Sequence, residues 1–281
     1  MSSSLCDLLE SVGINYHEKG QIYRGNAYLN AVHLLKNKEG ITSREAIKLK
    51  GIGKSIAKKI KEFNETGTIA IDVDKVLKLF MSIHGVGPKQ SRLWIEEGYK
   101  TLDDLKDVKM THSQQLGYKY VDDLNEKIPR DEIRAIEEYI KDRIPEAVVC
   151  GSYRRGAQMS GDVDVLVKGG SVESAIKSIE GILIGTLSLG KNKYMGLCRV
   201  LDKVRRIDIL IIKDDSWYYS LLYFTGSKKM NITMRGKAKS MGYSLNEYGL
   251  SKGDESIPAG SEEEIFKALE MKYLNPEERG Y

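Results

Sequence analysis

The sequence predicts an α+β fold in which a helical part comes first and a mixed β-sheet follows. Two observations support this prediction. Up to about residue 145 apolar residues recur at helical spacing, and beyond it short runs rich in β-branched residues alternate with a period near two. The chain has 281 residues, which is enough for two or three small domains with separate cores.

Residues 1–75 are predicted to form one helical domain with three amphipathic stretches. The apolar positions are Leu5, Leu8, Leu9 and Val12; Ala27, Ala31, Leu34 and Leu35; and Ile56, Ile60 and Phe63. Thr42 or Ser43 can cap a further helix, and Gly67 is expected to end the helix that begins near Lys54. Residues 76–130 are predicted to form a second helical domain, with loops at 85–88, 98–101 and 128–130.

The rest of the chain is predicted to mix strands with helices. Strands are expected at 147–150, 163–167, 196–200 and 206–212, and helices at 171–180 and 228–241. We expect residues 131–214 to form a sheet-bearing domain and residues 215–281 to form a small α+β subdomain.

The composition excludes several classes of protein. No stretch approaches the roughly 20 consecutive apolar residues of a membrane helix, and the N-terminal residues do not resemble a secretory signal. Cys6, Cys150 and Cys198 are too few and too scattered for a disulfide framework or a zinc site. We therefore expect a reduced, intracellular protein without membrane association, in a nuclear setting or in a cytoplasmic or viral one.

The charge is unevenly distributed although the net charge is only +4. A short segment carries six lysines, at Lys48, Lys50, Lys54, Lys58, Lys59 and Lys61, whereas residues 262–278 are acidic. This asymmetry is typical of a chain with one phosphate-facing region, although a lysine-rich helix exposed to solvent has the same pattern.

An internal repeat favours the phosphate-facing interpretation. Both LKGIGKSIAKKI (49–60) and IHGVGPKQSRLW (83–94) place two glycines around one apolar residue immediately before a helix. Glycine permits a tight turn, and the helix N-terminus offers N–H groups and the positive end of a dipole. Both copies fit a helix-hairpin-helix motif, which grips the DNA backbone without selecting its sequence. The predicted contacts are Gly51, Gly53, Gly85 and Gly87, while Ile52 and Val86 are expected in the core.

Two aspartates occur in the segment GSYRRGAQMSGDVDVLV (151–167). Asp162 and Asp164 are two apart in a predicted strand, so their carboxylates lie on one face. Adjacent carboxylates repel each other unless a cation lies between them, and magnesium fits an all-oxygen site. Asp208, in the apolar run RRIDILII, would complete a site for two metals if its strand is a neighbour. The alternative is a solvated strand face.

These motifs resemble the DNA polymerase X family. GSYRRG (151–156) followed by GDVDVLV (161–167) is similar to the family's nucleotidyltransferase signature. RRIDIL, YFTGSKKMN, MRGKA and LNEYGL follow in the family's order, and residues 262–280 resemble its C-terminal end. The resemblance covers nearly the whole chain. It implies a helical domain with two helix-hairpin-helix motifs, a catalytic palm and a nucleotide-selecting C-terminal subdomain.

The resemblance implies roles around an incoming dNTP. Asp162 and Asp164 would ligate two Mg²⁺ ions, which Mn²⁺ can replace, and Asp208 would ligate the catalytic ion near the primer 3′-hydroxyl. Ser152 and Arg155 would hold the β- and γ-phosphates. Two further residues are expected near this triphosphate, Gly161 through its backbone N–H and Arg130.

The resemblance also implies how the sugar and base are selected. Tyr223 and Phe224 would lie beneath the sugar and exclude a 2′-hydroxyl, and the Gly226–Ser227 peptide would be cis. Asn231 and Arg235, one helical turn apart, would reach the minor groove of the nascent pair. Its acceptors are similar for every correct pair, so this contact checks pairing without selecting a sequence.

A second activity is implied for the N-terminal domain. In beta-type members a lysine there removes a 5′-deoxyribose phosphate through a Schiff base, and Lys59 and Tyr28 match residues of that pocket. Arg24 replaces a phosphate-binding lysine, and Ser55 and Ile71 replace basic residues. We expect lyase activity with a weaker 5′-phosphate site, against the alternative that Lys59 only contacts a phosphate or solvent.

Two departures lie in the polymerase part. Lys228 stands where relatives have an aspartate near the base. Leu210 replaces an arginine that in relatives can engage an active-site acid in the inactive state. These differences predict altered fidelity and a changed balance between open and closed forms, with catalysis intact.

The sequence therefore predicts a template-directed polymerase that fills short gaps during base excision repair. Its expected substrates are gapped or nicked DNA and a dNTP, with Lys54 and Arg206 among the DNA contacts. We expect a monomer that cooperates with a DNA ligase. A template-independent or RNA-directed nucleotidyltransferase is one alternative, disfavoured by YFTGS, Asn231 and Arg235. A non-catalytic scaffold for gapped DNA is the other, disfavoured by the three aspartates.

Overall fold

A computed structural model describes residues 4–36, 38, 40–69 and 75–280. The chain divides into two compact units, residues 1–110 and 111–281. Among the described residues, no helix combines the length and the apolar composition that crossing a bilayer requires. The predicted α+β class is confirmed, because the first unit is helical and the second contains a mixed sheet. Ile71 lies outside the described residues.

Local sequence signals set the helices of the first unit. These are α1 (Leu5–Glu18), α2 (Ile22–Leu35), α3 (Ser43–Ala46), α4 (Lys54–Thr66), α5 (Lys75–Met81) and α6 (Pro88–Glu96). Ser4 and Thr42 cap α1 and α3, and each side-chain oxygen accepts a hydrogen bond from the N–H three residues on. Gly67 ends α4 with a left-handed φ of 72°, as predicted.

The core of the first unit has two parts. One joins α1, α2 and α4 around Leu9, Tyr28 and Ile60. The other lies between α5 and α6, where the rings of Phe80 and Trp94 meet edge to face at 5.8 Å. Leu34 was expected on the apolar face of α2, but it is 41% exposed. The buried stripe of α2 passes through Tyr28, Ala31 and Leu35, which leaves Leu34 turned towards solvent.

The second unit alternates helices and strands. Its helices are α7 (His112–Lys119), α8 (Val121–Asn125), α9 (Arg130–Lys141), α10 (Gly151–Arg154), α11 (Val172–Ser178), α12 (Trp217–Thr225), α13 (Lys228–Ser240) and α14 (Glu262–Ala268). Its strands are β1 (Ile128–Pro129), β2 (Val148–Val149), β3 (Met159–Ser160), β4 (Val163–Lys168), β5 (Leu183–Leu189), β6 (Lys193–Cys198), β7 (Arg205–Ile212), β8 (Ser244–Leu245), β9 (Leu250–Lys252) and β10 (Glu255–Ile257).

The central sheet has the order β2-β4-β7-β6-β5, and only β4 and β7 run parallel. The valines of β4 at 163, 165 and 167 point to a buried face, as predicted, and pack with apolar residues of α9 and α11. On the opposite face, Leu166 packs with Trp217 and Leu221 of α12. This second face carries the aspartates, so the sheet is apolar on one side and mixed on the other.

Three local expectations need correction. Asp162 precedes β4 by one residue and is not within the strand. Residues 128–130 are no loop, because Ile128–Pro129 pairs with Met159–Ser160 and Arg130 begins α9. The edge strand β5 was not predicted, since its glycine, threonine and serine interrupt the apolar pattern. The β1–β3 pairing joins residues that are distant in sequence, such as Ile128 and Ser160, so local periodicity does not reveal it.

The C-terminal part forms a third cluster around a small antiparallel sheet. Strands β8, β9 and β10 pair in the order β10-β9-β8. Met234 of α13 and Phe266 of α14 are fully buried with Leu250 of β9. The cluster fixes α13, which carries Asn231 and Arg235, on a packed base.

Candidate active site and nucleic-acid interface

The sheet register brings the aspartates onto one face. Asp164 of β4 lies directly opposite Asp208 of β7, because the two parallel strands pair residue for residue. Asp162 lies just before β4, and Arg206 links it to Asp208, because its Nη2 donates to Asp162 Oδ2 and its Nε lies 3.9 Å from Asp208 Oδ1. We call Asp162, Asp164 and Asp208 the aspartate trio. The strands are neighbours, which was the condition for the three carboxylates to converge.

Two basic side chains from the same face contact the trio. Arg206 Nη2 donates to Asp162 Oδ2, and Lys193 Nζ of β6 lies 3.0 Å from Asp208 Oδ2. The other Asp208 oxygen, Oδ1, is buried and accepts no hydrogen bond within the described structure. Burial, followed by the charges of Asp162 and Asp208, raises the pKa of Asp164 to about 7. The two basic side chains thus offset only part of the negative charge of the three carboxylates.

This donor set fits a divalent cation. Three carboxylates and a buried oxygen without a hydrogen bond are the ligands that hard cations prefer. In the conformation described, no three His, Cys, Asp or Glu side chains of residues 4–36, 38, 40–69 and 75–280 are close enough together to hold an ion. Arg206 contacts Asp162 and Lys193 contacts Asp208, so two carboxylates of the trio already have a basic partner. Binding of a cation therefore requires these side chains to move.

The turn before the trio is built tightly against it. Gly151 has a left-handed φ of 59°, and a Cβ there would lie 2.6 Å from Asp164 Oδ2. Only glycine fits this position. Ser152 Oγ donates to Ser160 Oγ at 2.8 Å. Arg155, the predicted triphosphate ligand, donates instead to the backbone carbonyls of Thr225 (2.6 Å) and Gly280 (2.9 Å).

Arg130 and Gly161 flank this turn differently. The Arg130 guanidinium donates to the carbonyls of Tyr153 and Ala157, and lies 4.3 Å from the centre of the Tyr153 ring. In this position it braces the turn and does not line the cleft described next. A Cβ at Gly161 would meet no atom within 4 Å, so its backbone is open to a ligand.

A cleft of about 510 Å³ opens beside Asp164. Its lining contains most of the residues predicted for nucleotide binding: Ser152, Arg155, Tyr223, Phe224, Gly226, Asn231 and Arg235. Thr225, Lys228 and Ile232 also line it. The volume is within the range of small-molecule sites, and one end is acidic while the rest is basic and aromatic. A polyphosphate bound to metal matches this charge pattern.

The aromatic side of the cleft is held by hydrogen bonds. Asn231 Nδ2 donates to the Tyr223 carbonyl at 2.8 Å. The Arg235 guanidinium lies 4.8 Å from the centre of the Tyr223 ring and pairs with Glu247 at 3.4 Å. The peptide between Gly226 and Ser227 is cis, as predicted, and Ser227 caps α13.

The two hairpins in the first unit have matching geometry. Gly51 and Gly85 adopt φ values of 105° and 83°, and Gly53 and Gly87 are the N-cap residues of α4 and α6. Ile52 and Val86 are buried as predicted. A Cβ at either N-cap glycine would meet no atom within 4 Å. Two helix N-termini therefore present open backbone to solvent, which is the geometry for binding phosphates.

A second pocket, of about 320 Å³, lies next to the first hairpin. It is lined by Tyr16, Arg24, Ala27, Tyr28, Gly51, Gly53, Ser55 and Ile56. Tyr28 stacks on Tyr16 at 5.4 Å, and its hydroxyl lies 3.0 Å from Ser55 Oγ. Burial raises the pKa of Tyr28, although Ser55, Lys59 and Arg24 oppose this. Lys59 is one helical turn beyond Ser55, with Nζ 3.0 Å from Glu62 Oε2.

Sequence reasoning missed Lys193 and Tyr16. Lys193 contacts Asp208 only through the β6–β7 register, and β6 was predicted to begin at Gly196. Tyr16 lines the N-terminal pocket from α1, whereas the sequence pattern drew attention to α2 and α4.

Family models match the chain along nearly its whole length. A helix-hairpin-helix domain matches residues 3–69, and the fingers domain of DNA polymerase lambda matches residues 78–125. The DNA polymerase beta palm matches residues 127–214, and the DNA polymerase beta thumb matches residues 220–280. The four modules occur in the order that the fold displays.

Three curated proteins are similar to the chain. DNA polymerase lambda of Rattus norvegicus is 31% identical over 320 aligned residues, covering 99% of this chain and 56% of the relative. DNA polymerase lambda of Arabidopsis thaliana is 31% identical over 314 residues, 94% of this chain and 59% of the relative. DNA nucleotidylexotransferase of Xenopus laevis is 27% identical over 296 residues, 82% and 57%. The chain thus spans little more than half the length of these relatives.

Proposed function

The chain belongs to the DNA polymerase X family, and we propose that it is a template-directed DNA polymerase that fills short gaps during base excision repair. The observation that carries this proposal is the register of the sheet. Asp164 and Asp208 are directly opposite each other on parallel strands, at the acidic end of a cleft lined by Arg155, Tyr223 and Asn231. This arrangement suits transfer of a nucleotidyl group from a metal-bound triphosphate.

The cofactor that we propose is Mg²⁺, two ions in all, with Mn²⁺ as a substitute. Family membership supports a divalent metal, and the oxygen donors of the trio favour a hard cation. Asp162 and Asp164 would ligate both ions, and Asp208 would ligate one beside the primer 3′-hydroxyl. When bound, such a cation lowers the pKa of a coordinated hydroxyl and offsets charge on phosphate oxygens.

The chain's own groups orient the dNTP. Ser152 and Arg155 line the cleft and would donate hydrogen bonds to the β- and γ-phosphates. The Gly161 N–H and Arg130 would add further contacts, for which Arg130 must leave the carbonyls of Tyr153 and Ala157. Arg155 must first leave the carbonyls of Thr225 and Gly280. A triphosphate is the stronger acceptor, because its oxygens carry negative charge whereas the carbonyl oxygens do not.

The residues on the aromatic side of the cleft would select the sugar and the base of the nucleotide. Tyr223 and Phe224 would exclude a 2′-hydroxyl, since they line the cleft on a backbone held by Asn231. Asn231 and Arg235 would contact minor-groove acceptors of the nascent pair. Arg235 is held against Tyr223 and Glu247 and must turn to reach them.

We further propose 5′-deoxyribose-phosphate lyase activity in the first unit. Lys59 would form the Schiff base, with Tyr28 and Arg24 in the pocket beside it. Ser55 bonds to Tyr28 where relatives have a lysine, so the 5′-phosphate should bind less tightly than in a pocket with more cations. The Schiff base requires the neutral amine of Lys59, because only a neutral amine acts as a nucleophile.

The proposed partners are gapped or nicked DNA and a dNTP, with a DNA ligase acting afterwards. The two hairpins with Lys54, and Arg206 at the trio, are the proposed DNA contacts. We expect a monomer in an intracellular setting, nuclear or else cytoplasmic or viral. Because most of these contacts are to phosphates, affinity for DNA should fall steeply with salt.

A second candidate function is nucleotide addition without a template. The similarity of the chain to a DNA nucleotidylexotransferase supports this second function. A measurement of which nucleotides are incorporated separates the two functions.

The test is incorporation of each dNTP singly into a one-nucleotide-gapped duplex with Mg²⁺, for wild type and Asp208→Ala. We expect wild type to add only the complementary nucleotide and Asp208→Ala to lose at least about 10³-fold in rate, since a metal ligand is removed. Asp214→Ala, an exposed aspartate just beyond β7, is the matched control.

Equal incorporation of all four nucleotides would support the template-independent alternative. Binding of gapped DNA without any incorporation would support the scaffold. The same duplex with a 5′-deoxyribose phosphate tests the lyase through borohydride trapping, which Lys59→Ala should abolish and Lys58→Ala should not.

A further inference from the structure

Lys193 of β6 lies beside Asp208. None of the other residues of β6 (Lys193–Cys198) is charged. In the antiparallel β6–β7 pairing, Met195 is opposite Asp208 and Lys193 is opposite Leu210. Lys193 is therefore the diagonal neighbour of Asp208 on the same face, within the reach of a long side chain. Its Nζ is 3.0 Å from Asp208 Oδ2, and Leu210 offers it no competing acceptor.

This ammonium group is the nearer of two counter-ions of Asp208, because Lys193 Nζ lies 3.0 Å from Oδ2 and Arg206 Nε lies 3.9 Å from Oδ1. The Asp208 side chain is 9% exposed, and its other oxygen accepts no hydrogen bond in the described part of the chain. A buried carboxylate without a cation is costly, so the contact holds Asp208 ready and in place. The Lys193 side chain is 42% exposed, so its flexible stem can withdraw the charge into water.

The same contact opposes a divalent cation. An ion ligated by Asp208 can use Oδ1, which accepts no hydrogen bond in the described structure, or Oδ2, which Lys193 contacts, and in either case it would lie within a few ångströms of the ammonium charge. Two positive charges this close repel each other even when largely solvated. Lys193 and a metal ion are therefore alternative partners of one carboxylate.

We propose that Lys193 is a positioning residue that holds Asp208 until a divalent cation displaces it, and so sets the metal concentration at which the site fills. This inference rests on the proposed metal-dependent function. It assigns to a residue outside the trio an effect on the affinity of the trio for the metal ion. Arg206 differs, because its Nη2 donates to Asp162 and its buried Nε, 3.9 Å from Asp208 Oδ1, makes no hydrogen bond in the described structure.

The test is binding of Mn²⁺ alone to the 281-residue chain, measured by electron paramagnetic resonance of the free ion. Lys193→Met should tighten Mn²⁺ binding about five- to tenfold, because one nearby positive charge is removed. Lys193→Gln, which keeps a donor for Asp208 but no charge, should do the same. Lys193→Arg should stay near wild type, and so should Lys191→Met in the preceding turn, which makes the same charge change away from Asp208.

Asp208→Asn supplies the second arm of the experiment. It should weaken Mn²⁺ binding and abolish the difference between Lys193 and Lys193→Met. If the Lys193 variants leave binding unchanged or weaken it while Asp208→Asn still weakens it, the role of Lys193 is refuted and the metal site stands. If Asp208→Asn leaves Mn²⁺ binding unaltered, the metal site itself is refuted and both proposals are overturned.

Discussion

Glu262 and Asp208 are both buried carboxylates of the second unit, but their surroundings differ. Glu262 accepts hydrogen bonds on both oxygens, from Arg154 at 2.7 and 3.1 Å and from Arg279 at 2.7 Å. Arg154 also donates to Thr225 at 2.6 Å. We call Glu262, Arg154, Arg279 and Thr225 the Glu262 cluster. Although burial opposes it, these guanidinium groups hold the pKa of Glu262 below its ordinary value.

The aspartate trio has the opposite character. Asp208 keeps one buried oxygen without a hydrogen bond in the described structure, and burial together with two like charges raises the pKa of Asp164 to about 7. The cations that contact the trio, Arg206 and Lys193, are 35% and 42% exposed, whereas the Arg279 side chain is fully buried. The cations that contact the trio are thus more exposed than those that contact Glu262, since the Arg154 side chain is 22% exposed and that of Arg279 is fully buried.

The difference shows how one unit can use carboxylates for two purposes. In the Glu262 cluster, charge is neutralised by residues far apart in sequence, which links α10 to α14 and to the chain end. In the trio, neutralisation is left incomplete, which costs stability and leaves ligand positions for a cation. Removing a charge should therefore have opposite effects at the two places.

The largest effect is expected at the Glu262 cluster. Glu262→Gln keeps the shape but leaves two buried guanidinium groups without a counter-charge, so the free energy of unfolding should fall by about 3–5 kcal/mol. Urea denaturation at pH 7 measures it. Glu277→Gln, an exposed glutamate in the same C-terminal segment, should change stability by less than about 0.5 kcal/mol. A small loss for Glu262→Gln would mean that the cluster is no better compensated than the trio.

A smaller effect of opposite sign is expected at the trio. Asp164→Asn removes one of three like charges, so at pH 8 it should raise the free energy of unfolding by about 1–2 kcal/mol in the absence of metal. Activity should be lost in the same variant. Stability would then rise as function falls, whereas Asp214→Asn, which is exposed, should change neither.

The pH dependence of the free energy of unfolding should differ in the same way between wild type and Asp164→Asn. The folded-state pKa of Asp164 is raised to about 7, whereas the ordinary pKa of an aspartate is near 4. Between about pH 4 and pH 7 the folded chain therefore keeps a proton on Asp164, and the unfolded chain has released it. Wild-type stability should fall as the pH rises through this window, and Asp164→Asn should lack the fall. Glu262 behaves oppositely, because its lowered pKa stabilises the fold above its ordinary value near 4.3 and that stability is lost as the pH falls. Equal slopes for wild type and Asp164→Asn would contradict the prediction.

Much of the site could be predicted because its signals are local. Period-two alternation placed Asp164 and Asp208 on strands, and the two glycines of each hairpin placed Gly53 and Gly87 at helix starts. In such cases the residues that determine the structure are neighbours in sequence.

The remainder depends on contacts between distant residues. The sequence predicted neither β5 nor the Lys193–Asp208 contact, because both follow from strand pairing and register. Nor did it predict the Glu262 cluster, in which Arg154 and Glu262 are 108 residues apart. Glu262 begins an acidic segment of the kind that is usually exposed, so the sequence does not indicate that it is buried between two arginines.

The smallest effect should come from Thr225, which tests whether the Glu262 cluster acts as one unit. Its fully buried hydroxyl donates to the Leu221 carbonyl and accepts from Arg154, both at 2.6 Å. Thr225→Val keeps the shape and leaves Arg154 paired with Glu262, so the loss of stability should be about 1 kcal/mol, and Thr225→Ser should restore most of it. In the Glu262→Gln background Arg154 relies more heavily on that hydroxyl, so Thr225→Val should cost more there than in wild type. Additive losses in urea denaturation would show that the cluster is a set of separate bonds, and the contrast with the trio would then rest on Glu262 alone.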